Sequence, residues 1–174
     1  MMNAKLIGVA TAIVGLLCGC VMNSNEAMPV DWPQTSRFTH ASELSGVFIG
    51  KGSVLGAIMS NDTNYGLVAA ADEFRLSTGD GTRLKMEAFA GQKLLRTVEL
   101  ECRLEDGAVV VDKGRGLNRE GVLGRENNIW RFLPNHEGNV VVKFEGRFFG
   151  MMMIFPVIGT ETKWWLLKRA AKST

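Results

Sequence analysis

Long hydrophobic runs are scarce in this 174-residue chain. The first, Leu6 to Leu17, is interrupted by Gly8, Thr11 and Gly15. It offers about a dozen apolar residues where a bilayer-crossing helix needs roughly 20, so a spanning helix is not expected there. Histidine is limited to His40 and His136, neither at metal-ligand spacing, and Cys102 alternates onto the apolar side of a candidate strand. A His/Cys metal site is therefore not expected. No Gly-x-Ser-x-Gly and no His-Glu-x-x-His occurs, which removes two common hydrolase patterns. Glu99 and Glu101 share a strand face, but acids alternating with arginines on an outward face read as solubility rather than acid–base chemistry. Lys and Arg number 20 against 18 Asp and Glu, with no basic run or stripe, so nucleic acid is not an expected partner. The segment Gly50-Lys51-Gly52-Ser53-Val54-Leu55-Gly56 lacks dinucleotide spacing and no βαβ alternation follows it, so it reads as a tight turn rather than a phosphate cradle. The expectation is a protein that is not an enzyme and carries no cofactor.

What is present begins at the N-terminus. Lys5 precedes the short apolar stretch, which matches a secretory signal. The junction Leu17-Cys18-Gly19-Cys20 resembles the lipobox of bacterial lipoproteins, which asks for an aliphatic residue, a tolerant position, Gly or Ala, and then Cys. That resemblance implies diacylglyceryl transfer to the Cys20 thiol, cleavage after Gly19 and N-acylation of the new terminus, which makes Cys20 the lipid attachment residue. With Cys18 as acceptor, Leu17 would occupy a cleavage position that in this family takes a small side chain. Two or more acyl chains hold a domain on a membrane without a spanning helix. Val21 and Met22 do not supply the Asp associated with inner-membrane retention, so the resemblance implies the periplasmic face of the outer membrane.

The expected organisation is a signal peptide over 1–19, an acylated cysteine and flexible tether over 20–39, and a single β domain over 40–174. Removing 19 of the 174 residues leaves 155, enough for one domain with its own core. Lys5 goes with the signal, leaving 19 basic against 18 acidic side chains. With Cys18 removed and Cys20 acylated, Cys102 stands alone, so no intramolecular disulfide is expected. Pro29, Pro33 and the lack of any period over 21–39 suggest the tether.

Period-2 alternation dominates the rest. Leu84, Met86, Ala88 and Ala90 oppose Arg83, Lys85 and Glu87; Val98, Leu100, Cys102 and Leu104 oppose Thr97, Glu99, Glu101 and Arg103. Val140, Val142, Phe144, Gly146 and Phe148 continue the theme. Turn signals fall at 61–64, Gly79-Asp80-Gly81, Asp106-Gly107 and 135–139. Asp106-Gly107 predicts a hairpin because both residues tolerate positive φ. Candidate strands lie near 44–50, 54–59, 66–70, 72–78, 83–90, 94–105, 108–112, 120–125, 128–133, 139–149, 151–158 and 162–168, with room for one short helix in 54–72. The expected fold is mainly β: an antiparallel up-and-down meander folded as a small barrel or a sandwich, the barrel being favoured because closure removes exposed edges.

Leu44-Ser45-Gly46-Val47-Phe48 resembles the Gly-x-Trp opening of lipocalins, with Phe48 in place of tryptophan. This resemblance implies a barrel that carries a small apolar ligand. A second feature is the uncharged run Phe148 to Ile158, which includes Met151, Met152 and Met153. It reads as a buried strand, or else as an apolar cavity wall or an exposed patch that meets lipid or a partner. Trp164 and Trp165 place one indole on each face of the last strand. Two function classes follow: an envelope interaction or assembly protein with an envelope protein partner, and a carrier of an apolar ligand. They differ in whether inward residues such as Leu84, Val98, Trp130, Phe132 and Phe144 fill the interior or leave a cavity.

Overall fold

A computed structural model describes residues 20–50, 54–60, 68–119, 122–152 and 155–170. Nine strands make one sheet: β1 Cys20–Asn25, β2 Gly46–Ile49, β3 Glu73–Thr78, β4 Arg83–Ala90, β5 Lys93–Glu105, β6 Ala108–Arg119, β7 Val122–Pro134, β8 Val140–Met152 and β9 Phe155–Arg169. Strands β2 to β9 pair in chain order and β9 returns to β2, so eight antiparallel strands close a barrel, and β1 is added to β9 in parallel. The mainly β, up-and-down barrel is the arrangement that the alternation predicts. No helix among the described residues is long and apolar enough to cross a membrane.

Local chemistry sets the turns. Asp106 and Gly107 both adopt positive φ, 53° and 79°, as a two-residue hairpin requires. In the 135–139 turn the Asn135 carboxamide oxygen accepts from the backbone N–H groups of Glu137 (3.0 Å) and Asn139 (2.9 Å). The Asp80 carboxylate accepts from both the N–H and the hydroxyl of Thr82 ahead of β4. Strand β4 occupies 83–90 as expected, and its pairing with β5 shifts register between Ala88 and Phe89.

Three expectations change. The run 54–59 is a helix, α1 (Val54–Met59), within the stretch 54–72 that had room for one, and not the candidate strand. A short apolar run fits either form, and here burial of Val54, Leu55, Ile58 and Met59 at helical spacing decides it. Gly56 lets α1 approach the Val68 side chain, which would lie 3.4 Å from an added Cβ. The candidates near 120–125 and 128–133 give one strand, β7, from Val122, and those near 151–158 and 162–168 give one strand, β9, from Phe155, with Met151 and Met152 in β8. The stretch 20–39, expected as an irregular tether, carries β1 at its start, where Asn23 and Asn25 accept hydrogen bonds from the hydroxyls of Thr160 and Thr162. Later in it, the N–H of Ser36 donates to the Pro134 carbonyl and that of Phe38 to the Gly107 carbonyl, and the Phe38 ring is buried. The turn 61–64 and part of the 66–70 candidate lie outside the described residues.

The described residues fall into two compact units. The core unit takes 27–50, 54–60, 68–112, 129–144 and 163–170; the ribbon unit takes 20–26, 113–119, 122–128, 145–152 and 155–162. The core unit holds the main hydrophobic cluster, with Leu44, Phe48, Leu55, Phe74, Leu84, Met86 and Phe132 fully enclosed. Its barrel seam is narrow. Between β2 and β9 the register pairs Phe48 with Arg169 and Ile49 with Lys168, and the Ala170 N–H donates to the Val47 carbonyl.

Candidate functional site

Cys20 is the first residue of β1, whose parallel register sets Cys20 beside Val157, Val21 beside Ile158 and Met22 beside Gly159. Strand β9 thus has β1 along Val157–Thr162 and β2 at Lys168–Arg169.

The barrel interior holds side chains. The Trp130 ring packs tilted against Phe144 with centroids 4.4 Å apart and lies 5.9 Å from Trp165, and all three belong to the core unit. Leu84 and Phe132 are buried, while Val98 and Trp165 pack against the core from partly buried positions. Trp164 takes the opposite side of β9, beneath the Lys143 ammonium.

One residue that carried no local signal in the sequence joins the seam to the segment Leu44–Phe48. Arg169 donates from its two terminal nitrogens to the carbonyls of Ser45 and Glu43, each at 3.0 Å, and its guanidinium lies 5.3 Å over the buried Phe48 ring. Gly46 makes room, since an added Cβ would sit 3.1 Å from the Arg169 Nη1. The carbonyls come from the 3-10 turn Ala41–Leu44 and its cap, Ser45. Glu43 fixes that turn by accepting from the Thr39 hydroxyl and from the N–H groups of Thr39 and His40, and these hydrogen bonds hold its carboxyl below the ordinary glutamate range.

A cavity of about 340 Å³ lies within the ribbon unit, lined by Arg125, Asn127, Arg147, Phe148, Phe149, Ile158, Gly159 and Thr160, with walls almost wholly apolar. Arg125 and Arg147 are exposed, and neither forms an ion pair among the described residues. The signal for this groove was in the sequence as Leu123-Gly124-Arg125 and Arg147-Phe148-Phe149, in which a cation and an apolar residue recur two apart.

The other candidate residues stay apart. His40 borders a smaller cavity with Asp80, and His136 is exposed in its turn. The described residues bring no metal-binding cluster of His, Cys, Asp or Glu together. Cys102 is buried with its thiol 3.6 Å from the Gly81 carbonyl, and burial, aided by the negative charge of Asp80, pushes its pKa up. Glu99 faces Arg83 across 4.0 Å of exposed surface. Lys51 to Ser53 of the glycine-rich segment lie outside the described residues, as do Met153 and Ile154 of the apolar run.

No family model, no curated protein and no solved structure matches the chain. Its function is therefore argued from its own residues.

Proposed function

We propose that this is a membrane-anchored periplasmic lipoprotein with a non-enzymatic role in envelope interaction or assembly, held through acylated Cys20 at the periplasmic face of the outer membrane. One observation carries the choice of interaction over transport. The core unit encloses Phe48, Phe74, Trp130, Phe132 and Phe144, whereas Val21, Met22, Leu123, Phe149, Met151, Phe155 and Ile158 are exposed in the unit that contains Cys20. Apolar surface spent on solvent is the mark of a contact site. A lipocalin-like carrier of a small apolar ligand, the alternative reading, asks for an open interior. Trp130, Phe132 and Phe144 occupy inward positions that such a ligand would need.

The anchor is tested by metabolic labelling with palmitate in a bacterial host. Label is expected on the wild-type chain and on Cys18→Ser, and none on Cys20→Ser, because a hydroxyl does not accept the diacylglyceryl group. Label that survives the Cys20 change removes the lipoprotein reading. Affinity capture from detergent-solubilised envelope, followed by mass spectrometry, then identifies partners; saturable binding of a fluorescent fatty acid inside the barrel, competed by retinoid-like apolar molecules, would favour the carrier instead.

A further inference from the structure

The side chains of the ribbon unit sort onto two faces. A Cβ built at Gly124 would meet the Phe148 ring at 2.8 Å, one at Gly150 would meet it at 2.7 Å, and one at Gly159 would lie 3.7 Å from the Phe148 Cβ. Gly124, Phe148, Gly150 and Gly159 therefore share a face. Strand alternation puts Leu123, Arg125, Phe149, Met151 and Ile158 on the other. Val21 joins them, because it pairs in parallel with Ile158, and the next pair on that side, Asn23 and Thr160, is joined by a 2.8 Å hydrogen bond.

This second face is open to solvent and graded in polarity. Phe149 is 65% exposed, Val21 69% and Leu123 59%. The apolar residues gather at the end where β1 and β7 begin and β8 finishes. Arg125 stands two residues beyond Leu123 and Arg147 two residues before Phe149, a spacing of about 7 Å along each strand. An arginine in that position lays its methylene stem along apolar surface while its guanidinium reaches polar groups, and the planar fork pairs well with phosphate.

We infer that this face is a second membrane contact: it lies on an anionic phospholipid leaflet, with Phe149, Leu123 and Ile158 at the acyl boundary and Arg125 and Arg147 on headgroup phosphates. The inference rests on the reading of Cys20 as the acylated residue. Cys20 begins β1 directly before Val21, at the end where these apolar residues gather, so an anchor at that residue holds this end of the face near the leaflet. The partner chemistry follows from charge: two exposed cations without acidic partners among the described residues, beside an apolar groove, match a phosphate group joined to a hydrocarbon chain. The anchor supplies attachment and the face supplies orientation.

The test uses the full-length acylated chain, purified in detergent and reconstituted into phosphatidylglycerol–phosphatidylethanolamine vesicles. Spin labels are placed by Phe149→Cys, and by Lys93→Cys at an exposed position of the core unit, each in a Cys102→Ala background. In the vesicles the label at 149 is expected to lose access to a water-soluble nickel chelate several-fold relative to the label at 93, and to gain collisions with oxygen. Changing Arg125→Glu together with Arg147→Glu is expected to restore chelate access while leaving the chain acylated and vesicle-bound. Equal chelate access at both labels on membrane-bound, acylated protein overturns the face and leaves the anchor standing. Spin–spin broadening at 149 that persists in detergent overturns it in favour of a second copy of the chain as occupant. A chain that carries no acyl label overturns the anchor and, with it, this inference.

Discussion

The two units of this protein use the same residue types to opposite ends. In the core unit Phe48, Phe74 and Phe132 are sealed, and in β3 and β4 the buried Phe74, Leu76, Leu84, Met86 and Ala88 alternate with half-buried or exposed polar side chains. In the ribbon unit two glycines, Gly124 and Gly150, bring neighbouring backbone together under the Phe148 ring, and the opposite face presents Phe149 and Leu123 to solvent. Burying a large apolar side chain contributes about 1.5–3 kcal/mol, so the core unit collects its stability from its phenylalanines while the ribbon unit leaves that gain unrealised in the free protein. Unrealised burial is what a binding surface keeps in reserve, and on the function proposed above stability belongs to one unit and association to the other.

The sharpest way to break this comparison is to truncate one phenylalanine in each. Phe132→Ala should cost about 3–5 kcal/mol in urea denaturation, whereas Phe149→Ala should stay within about 0.5 kcal/mol. Similar losses at both positions would end the distinction. Next in size is the seam. Arg169→Met removes two hydrogen bonds from a charged donor and should destabilise by about 2–3 kcal/mol; Arg169→Lys should recover little of this, because one ammonium does not reproduce the planar fork over Phe48. In the ribbon unit Gly124→Ala would place a Cβ 2.7 Å from the Phe149 carbonyl oxygen and 2.9 Å from the Gly150 Cα, at a cost of about 1–3 kcal/mol. Hydrogen exchange should then rise in 122–128 and 145–152 and stay slow in β3 and β4.

Smaller effects refine the core side of the contrast. Cys102→Ala should cost only about 1 kcal/mol, as for any small buried side chain, and the raised thiol pKa together with burial should make native Cys102 slow towards maleimide at neutral pH. The smallest concerns Glu105, which accepts from Arg103 at 2.8 Å and from Arg131 at 3.1 Å. These partners lower its carboxyl pKa below the ordinary 4.5. A depressed folded-state value means that its contribution is complete above the ordinary value and is lost as pH falls through the lowered one. Glu105→Gln should therefore flatten the acid limb of a melting-temperature profile by slightly lowering the neutral plateau, while the acid end stays where it is.

The sequence was informative where a structural choice is made locally. Strand β4 and the Asp106-Gly107 hairpin depend on alternation and on φ preferences that the residues themselves carry. Strand lengths were less legible, since Glu126-Asn127 and Gly159-Thr160-Glu161 look like breaks until their partners are known. Thr160 is kept in β9 beside a strand 137 positions away, where its hydroxyl meets Asn23. Strand β1 was hidden for the same reason: a polar segment rich in asparagine shows no period, and it is the free edge of β9 that orders it. For the site, the resemblance of the Cys20 motif to a lipobox was legible because such a motif is a linear pattern, whereas the Arg125–Arg147 groove exists only once β7, β8 and β9 lie side by side. Arg169 gave no local sign, because the carbonyls that it reaches are 124 and 126 positions earlier.

That span bears on how such a chain is made and moved. A ring whose last link joins residues more than a hundred positions apart carries a large loop-closure cost before any of that link's contacts form, so closure comes late in folding. Until Arg169 arrives at the Ser45 and Glu43 carbonyls, strand β2 has β3 on one side and a vacant edge on the other. A chain exported before folding would gain from this delay, since an unclosed meander can still be drawn through a narrow channel. Once closed, the same span resists local fraying, because opening the ring means separating its first strand from its last.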